Sequence, residues 1–168
     1  MKTIKLILPL LLLTNPIDKL PPATQTGQQT FGCLINGEAF IPDSFGSGRP
    51  SAFYQFLDGT YTMNISGSSG GGSQMQSISI GGIEIEPIEE RIYALLEEES
   101  GKLYGRYNIG GGITLRGSSS IEMPGTLVVT NFDPENFIIS GTFEFTVLDN
   151  DNNEIKITEG RLDVKYAN

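Results

Sequence analysis

The chain has 168 residues, a formal net charge of −9, no histidine, no tryptophan and a single cysteine. This length suits one domain, and the acid excess disfavours nucleic acid and anionic membrane surfaces as partners because both would repel the chain. The absence of histidine removes the commonest general base and metal ligand, and one cysteine cannot form an internal disulfide.

An apolar run near the N-terminus indicates export. The run extends from Ile4 to Leu13, and Lys2 and Lys5 flank its start. Ten helical residues at about 1.5 Å each span only about half of a bilayer core. The pattern therefore predicts the core of a signal peptide and not a membrane span.

Composition divides the chain into three parts. Residues 1–16 are interpreted as a signal peptide or N-terminal hydrophobic segment, residues 17–29 as a polar tether, and residues 30–168 as a β domain. The tether reading rests on Pro21-Pro22 and the polar run that follows them. We expect the protein in the periplasm or on the cell surface of a Gram-negative bacterium, with membrane contact only through the N-terminal segment.

Two-residue turns predict two hairpins in the first half of the β domain. Closing the chain on Asn36-Gly37 places Cys33 opposite Phe40. The turn Asp58-Gly59 fixes the register of a second hairpin. The apolar residues of that hairpin then share one face: Ala52, Tyr54, Phe56, Tyr61, Met63 and Ile65.

Two changes of parity predict β-bulges. The isoleucines before and after Gly81-Gly82 lie on opposite parities, and so do Ile157 and Leu162 near the C-terminus. An extra residue at Glu159-Gly160-Arg161 would return both apolar sets to one core face, and glycine would tolerate a positive φ there.

The complete pattern predicts a single all-β domain of eight or nine antiparallel strands. Ser66 to Ser73 and Gly110 to Pro124 are rich in glycine and serine and are predicted to be flexible loops. Sheets of this length form either a barrel-like structure or a sandwich. The glycine-marked bends favour the barrel-like form.

Two segments resemble an uncharacterised family of small exported bacterial lipoproteins. They are Leu20 to Phe40, LPPATQTGQQTFGCLINGEAF, and Ile139 to Tyr166, ISGTFEFTVLDNDNNEIKITEGRLDVKY. The resemblance implies a cell-envelope location and no assigned activity. Such lipoproteins have a lipidated cysteine just after the apolar run, where this chain has Asn15-Pro16. The chain is therefore expected either to be secreted freely or to be held by an uncleaved N-terminus.

Two candidate chemical sites are better explained by structural roles of their residues. Cys33 has apolar neighbours in the predicted hairpin and no histidine to activate it, so a buried structural thiol is expected. Asp149, Asp151 and Asn153 have the spacing of a calcium loop, but Gly160 occupies the position of the bidentate glutamate. A polar hairpin turn fits them better, and we expect no metal site and no cofactor.

Paired carboxylates and one polar stripe are the remaining candidates. Glu84 with Glu86, or the loop Glu97-Glu98-Glu99, could supply an acid and a base for glycoside hydrolysis, although outward strand faces and acidic loops are usually solubilising. Tyr104, Arg106 and Asn108 share one strand face and could contact a glycan or peptide. A solvated sheet face explains the same stripe.

No credible catalytic set emerges, so we expect no enzyme and no catalytic residue. The leading hypothesis is a non-catalytic cell-envelope protein that binds or interacts through an antiparallel β scaffold, with its partner unknown. A lipocalin-like carrier of a small apolar ligand is the alternative, and a cavity lined by Tyr54, Phe56, Tyr61 and Met63 would favour it. A hydrolase that uses only aspartate and glutamate is the third possibility.

Overall fold

The computed structural model describes residues 15–43, 46–110 and 115–168. The predicted signal-peptide core, Ile4 to Leu13, lies outside these residues. Three short 3-10 turns lie at Pro16–Lys19, Gly46–Gly48 and Gly72–Gln74. The strands are β1 (Thr30–Ile35), β2 (Glu38–Phe40), β3 (Ser51–Leu57), β4 (Thr60–Ser69), β5 (Gln76–Ile85), β6 (Ile92–Leu96), β7 (Lys102–Ile109), β8 (Leu115–Ser118), β9 (Gly125–Asp133), β10 (Ile138–Leu148) and β11 (Glu154–Lys165).

The eleven strands of the described residues belong to one sheet. Its order is β2-β1-β11-β10-β9-β6-β7-β5-β4-β3, and β8 pairs with β7 beside this path. Most neighbours are antiparallel, but β6 and β7 are parallel, so the sheet is mixed. The prediction of a single all-β domain is confirmed, with eleven strands in place of the eight or nine expected.

The sheet is not closed into a barrel. A single parallel bridge, Phe53 to Ala167, joins the edge strand β3 to the tail after β11. Two hydrogen bonds form this bridge: the backbone N–H of Tyr54 donates to the Ala167 carbonyl at 2.9 Å, and the Ala167 N–H donates to the Ala52 carbonyl at 3.0 Å. Within the residues that the structure describes, no further β-bridge joins this edge of β3 to the opposite end of the sheet.

The sheet curls, and the inner faces of its two halves pack together. A Cβ atom at Gly105 on β7 would lie 2.5 Å from the ring of Phe145 on β10, and one at Gly67 on β4 would lie 3.3 Å from the ring of Phe31 on β1. Glycine therefore permits this close approach. The largest fully buried apolar side chains of the core are Phe31, Met63, Ile65, Ile78, Ile80, Leu95, Leu127, Val147, Ile157 and Val164.

Both predicted hairpins are confirmed. Cys33 pairs with Phe40 around Asn36-Gly37, and Phe56 pairs with Tyr61 around Asp58-Gly59. All four turn residues have φ between +49° and +91°. These angles belong to the type I′ turn, whose twist matches that of the two flanking strands.

The predicted bulge in β11 is also confirmed. The ladder between β10 and β11 shifts register after Phe143 pairs with Gly160, and it resumes where Phe145 pairs with Ile157. Ile157 and Leu162 are consequently both buried in the core. The positive φ, however, belongs to Glu159 (+52°) and not to Gly160. Glycine is needed at 160 for space, since a Cβ atom there would lie 2.5 Å from the Phe143 ring.

Three local elements differ in position or extent from their predictions. The bulge expected at Gly81-Gly82 lies slightly later, where Glu84 has φ +51° and the ladder with β4 changes register. Strand β4 continues to Ser69 through the first half of the predicted loop. The second predicted loop contains β8, whose Gly117 pairs with Tyr107. In both loops small residues are part of the sheet because neighbouring strands approach closely there.

The segment expected to be a tether is bound to the domain. We call residues 20–29 the N-terminal strap. Leu20 at its start is buried, and the Arg161 guanidinium donates a 3.2 Å hydrogen bond to the Pro21 carbonyl. The strap then passes over β11, and its far end leads directly into β1.

A single carboxylate fixes the middle of this strap. Asp163 on β11 is 1% exposed and accepts five hydrogen bonds. The donors are the Thr24 hydroxyl at 2.6 Å, the backbone N–H groups of Thr26 (3.1 Å), Gly27 (2.7 Å) and Gln28 (3.1 Å), and the Ser140 hydroxyl at 2.8 Å. Burial raises the pKa of Asp163, but these hydrogen bonds outweigh it and the net effect lowers the pKa to about 2.

Candidate functional site

Aromatic rings meet at one end of the sheet and line an open cleft of about 270 Å³. We call it the aromatic cleft. Six rings form its walls: Tyr54, Phe56, Tyr61, Phe132, Phe137 and Tyr166. The remaining lining residues are Pro87, Ile88, Pro134 and Asn168. None of these ten described residues has a charged side chain.

The β3–β4 hairpin supplies half of the rings. Its register places Phe56 opposite Tyr61 on the face that the sequence predicted. The Tyr54 and Tyr61 rings stack with centroids 4.7 Å apart and planes 4° apart, and Phe56 tilts against Tyr61 at 4.9 Å. This part of the cleft therefore depends only on a local turn and on period-two alternation.

The other three rings come from the distant C-terminal strands. Phe132 is the penultimate residue of β9, Phe137 precedes β10, and Tyr166 follows β11. Tyr54 meets Phe132 and Tyr166 edge to face, with centroids 5.5 and 5.6 Å apart. Such edge-to-face pairs are favourable beyond the area they bury, so Tyr54 joins the two halves of the cleft.

Phe137 has a strained backbone conformation. Its φ is +57°, in the left-handed region that bulky residues rarely adopt. The conformation places its ring edge to face with Tyr166, with centroids 5.7 Å apart, while 43% of the residue stays exposed. Phe56 is 58% exposed. Strain of this kind concentrates at functional sites, and it puts one of the two most exposed rings on the cleft wall.

A buried hydrogen bond fixes the floor of the cleft. The Tyr54 hydroxyl accepts a 3.0 Å bond from the backbone N–H of Ile88. Burial raises the pKa of Tyr54 to about 12, and the bond from Ile88 only partly opposes this effect. Burial also raises the pKa of Tyr166, as do the nearby negative charge of Asp133 and Tyr61. Both phenols are therefore uncharged at neutral pH.

The carrier hypothesis named four residues, and the structure brings three of them together. Tyr54, Phe56 and Tyr61 line the cleft, whereas Met63 is 2% exposed and belongs to the core. The cleft is open to solvent, so these three residues form a surface site and not an enclosed cavity.

The predicted stripe of Tyr104, Arg106 and Asn108 lies on the face of β7 opposite the core, as the alternation requires. Tyr104 is nevertheless buried, and the Arg106 guanidinium lies 4.9 Å from its ring centroid. Arg106 also forms an ion pair with Glu98, which pairs with Arg116 at 2.7 Å. The stripe is therefore partly covered by side chains of the domain itself, and Arg106 is held there by the ring of Tyr104 and the carboxylate of Glu98.

The acidic residues considered for hydrolysis already have partners within the domain. Glu97 and Glu99 both pair with Lys102, while Glu84 accepts a hydrogen bond from the Ser100 hydroxyl. A different pair, Glu144 and Glu159, lines a depression of about 330 Å³ on the outer face of β10 and β11. Both are exposed, which differs from the sheltered setting of a glycosidase general acid.

The other two candidates have structural roles. Cys33 is fully buried, as predicted, and burial raises the pKa of its thiol to about 12. In the turn after β10 the Asp149 carboxylate accepts bonds from the backbone N–H groups of Asp151 and Asn153, both at 2.8 Å, and from the Asn153 amide at 3.0 Å. This carboxylate stabilises its own turn. No cluster of three potential metal-ligating side chains occurs in the described part of the chain.

Sequence reasoning missed the C-terminal half of the cleft. Phe132, Phe137 and Tyr166 each read as an ordinary strand or turn residue, and only the long-range strand order brings them to Tyr54. The aromatic character of three strand ends is the one signal that could have suggested it.

Within the described residues, no helix is long and apolar enough to cross a membrane. Comparison with known protein families, with curated proteins and with solved structures found no match to this chain.

Proposed function

We propose that this protein is a non-catalytic binding module of a bacterial cell envelope and that the aromatic cleft is its binding site. The observation that supports the cleft as the binding site is its exposed aromatic wall. Monomeric proteins rarely leave large rings such as Phe56 and Phe137 exposed around one concavity unless the concavity has a role in binding.

The envelope location rests on the sequence. The apolar run from Ile4 to Leu13 has the length of a signal-peptide core, and the resemblance to small exported lipoproteins points to the same compartment. The non-catalytic assignment rests on the partners of the acidic residues, since Glu97, Glu98 and Glu99 form ion pairs with lysine or arginine.

Binding in the cleft is tested with N-phenyl-1-naphthylamine, an uncharged aromatic probe that fluoresces in apolar surroundings. We expect saturable binding to the wild type and roughly tenfold weaker binding to the double variant Phe56→Ala, Phe137→Ala, because truncating an aromatic anchor typically costs more than 1 kcal/mol. Phe53→Ala is the matched control, since Phe53 is an exposed ring of the same strand outside the cleft. Equal affinities for all three proteins would overturn the assignment of the site.

Export is tested by expressing the full chain in a Gram-negative host and separating periplasm, membrane and cytoplasm. We expect the wild type outside the cytoplasm. The variant Leu11→Lys, which places a charge in the apolar run, should remain in the cytoplasm. A wild type that fractionates with this variant would contradict the proposed location.

A further inference from the structure

We propose, on the basis of the function assigned above, that the aromatic cleft binds a small organic cation of the quaternary ammonium class. Three properties of the cleft support this ligand: the electronic character of its walls, the charges around its rim, and its size.

The walls are uncharged and aromatic. The faces of phenyl and phenol rings are negative, so they attract a cation placed over them. Tyr54 and Tyr61 stack on each other, and Tyr166 stacks on Phe132 with centroids 5.9 Å apart. In each of these pairs the two rings cover one face of each other. Phe56 and Phe137 are the two most exposed rings of the cleft, so they are the rings that can contact a ligand.

The rim is acidic. Asp133 lies between the lining residues Phe132 and Pro134, and its charge acts on Tyr166. Glu86 precedes the lining residue Pro87 and is exposed. The net charge of −9 adds to this local field, which attracts cations and repels anions.

Arg91, three residues after the lining residue Ile88, already has an aromatic partner outside the cleft. The Arg91 guanidinium lies 4.5 Å from the ring centroid of Tyr93, outside the residues that line the cleft. No lysine or arginine contributes to the lining among the described residues. A cationic ligand therefore meets no like charge in the cleft itself.

The size favours a compact group. A volume of about 270 Å³ is slightly smaller than ordinary small-molecule sites, which begin at about 300 Å³. A trimethylammonium group is small and has its charge shielded by methyl groups. It therefore loses less hydration than a primary ammonium when it enters an apolar cleft.

The test compares choline with 3,3-dimethylbutan-1-ol, which has the same shape but no charge. Binding is followed by the NMR signals of the aromatic rings and of the Ile88 methyl groups. We expect choline to bind roughly tenfold more tightly than the alcohol, in line with a partly desolvated cation–π contact. The affinity for choline should fall as salt is added, and that for the alcohol should not.

Variants separate the two contributions. Phe56→Leu with Phe137→Leu keeps apolar walls but removes the two exposed rings, and Glu86→Gln removes one exposed rim charge. Each should weaken choline binding severalfold and leave the alcohol nearly unchanged, while Phe53→Leu should alter neither. Near-UV circular dichroism of the tyrosines checks that each variant is folded.

The outcomes distinguish this inference from the function on which it rests. Equal affinity for choline and the alcohol, with NMR shifts at the cleft, would overturn the cation preference and leave an apolar binding site. Failure of choline, the alcohol and N-phenyl-1-naphthylamine to shift any cleft signal would overturn both proposals.

Discussion

The buried carboxylate of Asp163 and the backbone N–H of Gly27 lie 2.7 Å apart, although 136 residues separate them in sequence. This bond is one of four that the Asp163 carboxylate accepts from the N-terminal strap. Hydrogen bonds to an ionised acceptor are roughly twice as strong as those between neutral groups. The strap is therefore a part of the folded domain.

Replacing Asp163 with asparagine should destabilise the protein by roughly 3 kcal/mol. Asparagine removes the charge and points an amide donor at groups that are themselves donors. Urea unfolding measures the loss. Asp151→Asn is the matched control, because it removes the same charge from an exposed turn, and it should change stability by less than about 0.5 kcal/mol. Equal effects of the two substitutions would contradict the anchoring role of Asp163.

Low pH should weaken the hydrogen bonds between Asp163 and the N-terminal strap. The native pKa of Asp163 is lowered to about 2 from an ordinary 3.8, so the folded state favours the ionised form. The corresponding stability, about 2 kcal/mol, is fully present above pH 4 and is lost as the pH falls towards 2. Unfolding curves of the wild type and Asp163→Asn should therefore converge over that range. A constant difference between them down to pH 2 would refute this assignment.

Gly160→Ala should cost about 1–3 kcal/mol, because the new methyl group would lie 2.5 Å from the Phe143 ring and the bulge would have to move. Gly71→Ala provides the control: nothing lies within 4 Å of a Cβ atom at Gly71, and its φ is −150°. Thermal unfolding compares the two variants. If both melt like the wild type, the close packing at the bulge is not important for stability.

Cys33 should resist thiol reagents in the native protein. The thiol is buried, and its pKa of about 12 leaves almost no thiolate at neutral pH. Labelling with a disulfide reagent should therefore follow global unfolding and accelerate with urea. Cys33→Ala should cost about 1 kcal/mol, as expected for a small buried group. Rapid labelling without denaturant would show that the thiol is accessible.

The parts of the fold that were predictable from sequence are those that local rules determine. Asn36-Gly37 and Asp58-Gly59 fix their hairpins by turn chemistry, and the parity change between Ile157 and Leu162 fixes a bulge. These features need only neighbouring residues. The cost of leaving large apolar groups in water, about 1.5–3 kcal/mol each, makes such patterns decisive.

The remaining features depend on partners that are distant in sequence. The parallel contact of β6 with β7 has no turn signature, and the strap has no periodicity. Asp163 alternates with Leu162 and Val164, so it reads as a solvent-facing residue until the strap is seen to cover it. The cleft was half predictable for the same reason, since Tyr54, Phe56 and Tyr61 share one hairpin.

The pairing of β1 with β11 has a consequence for how the protein is made. Thr30 pairs with Asp163, so the first long strand reaches its main partner only when the last one has been synthesised. A ribosome-bound chain cannot complete the sheet, and contacts of such long sequence separation form slowly even after release. The newly made polypeptide is consequently expected to stay unfolded until its synthesis is complete, a state compatible with the export proposed above.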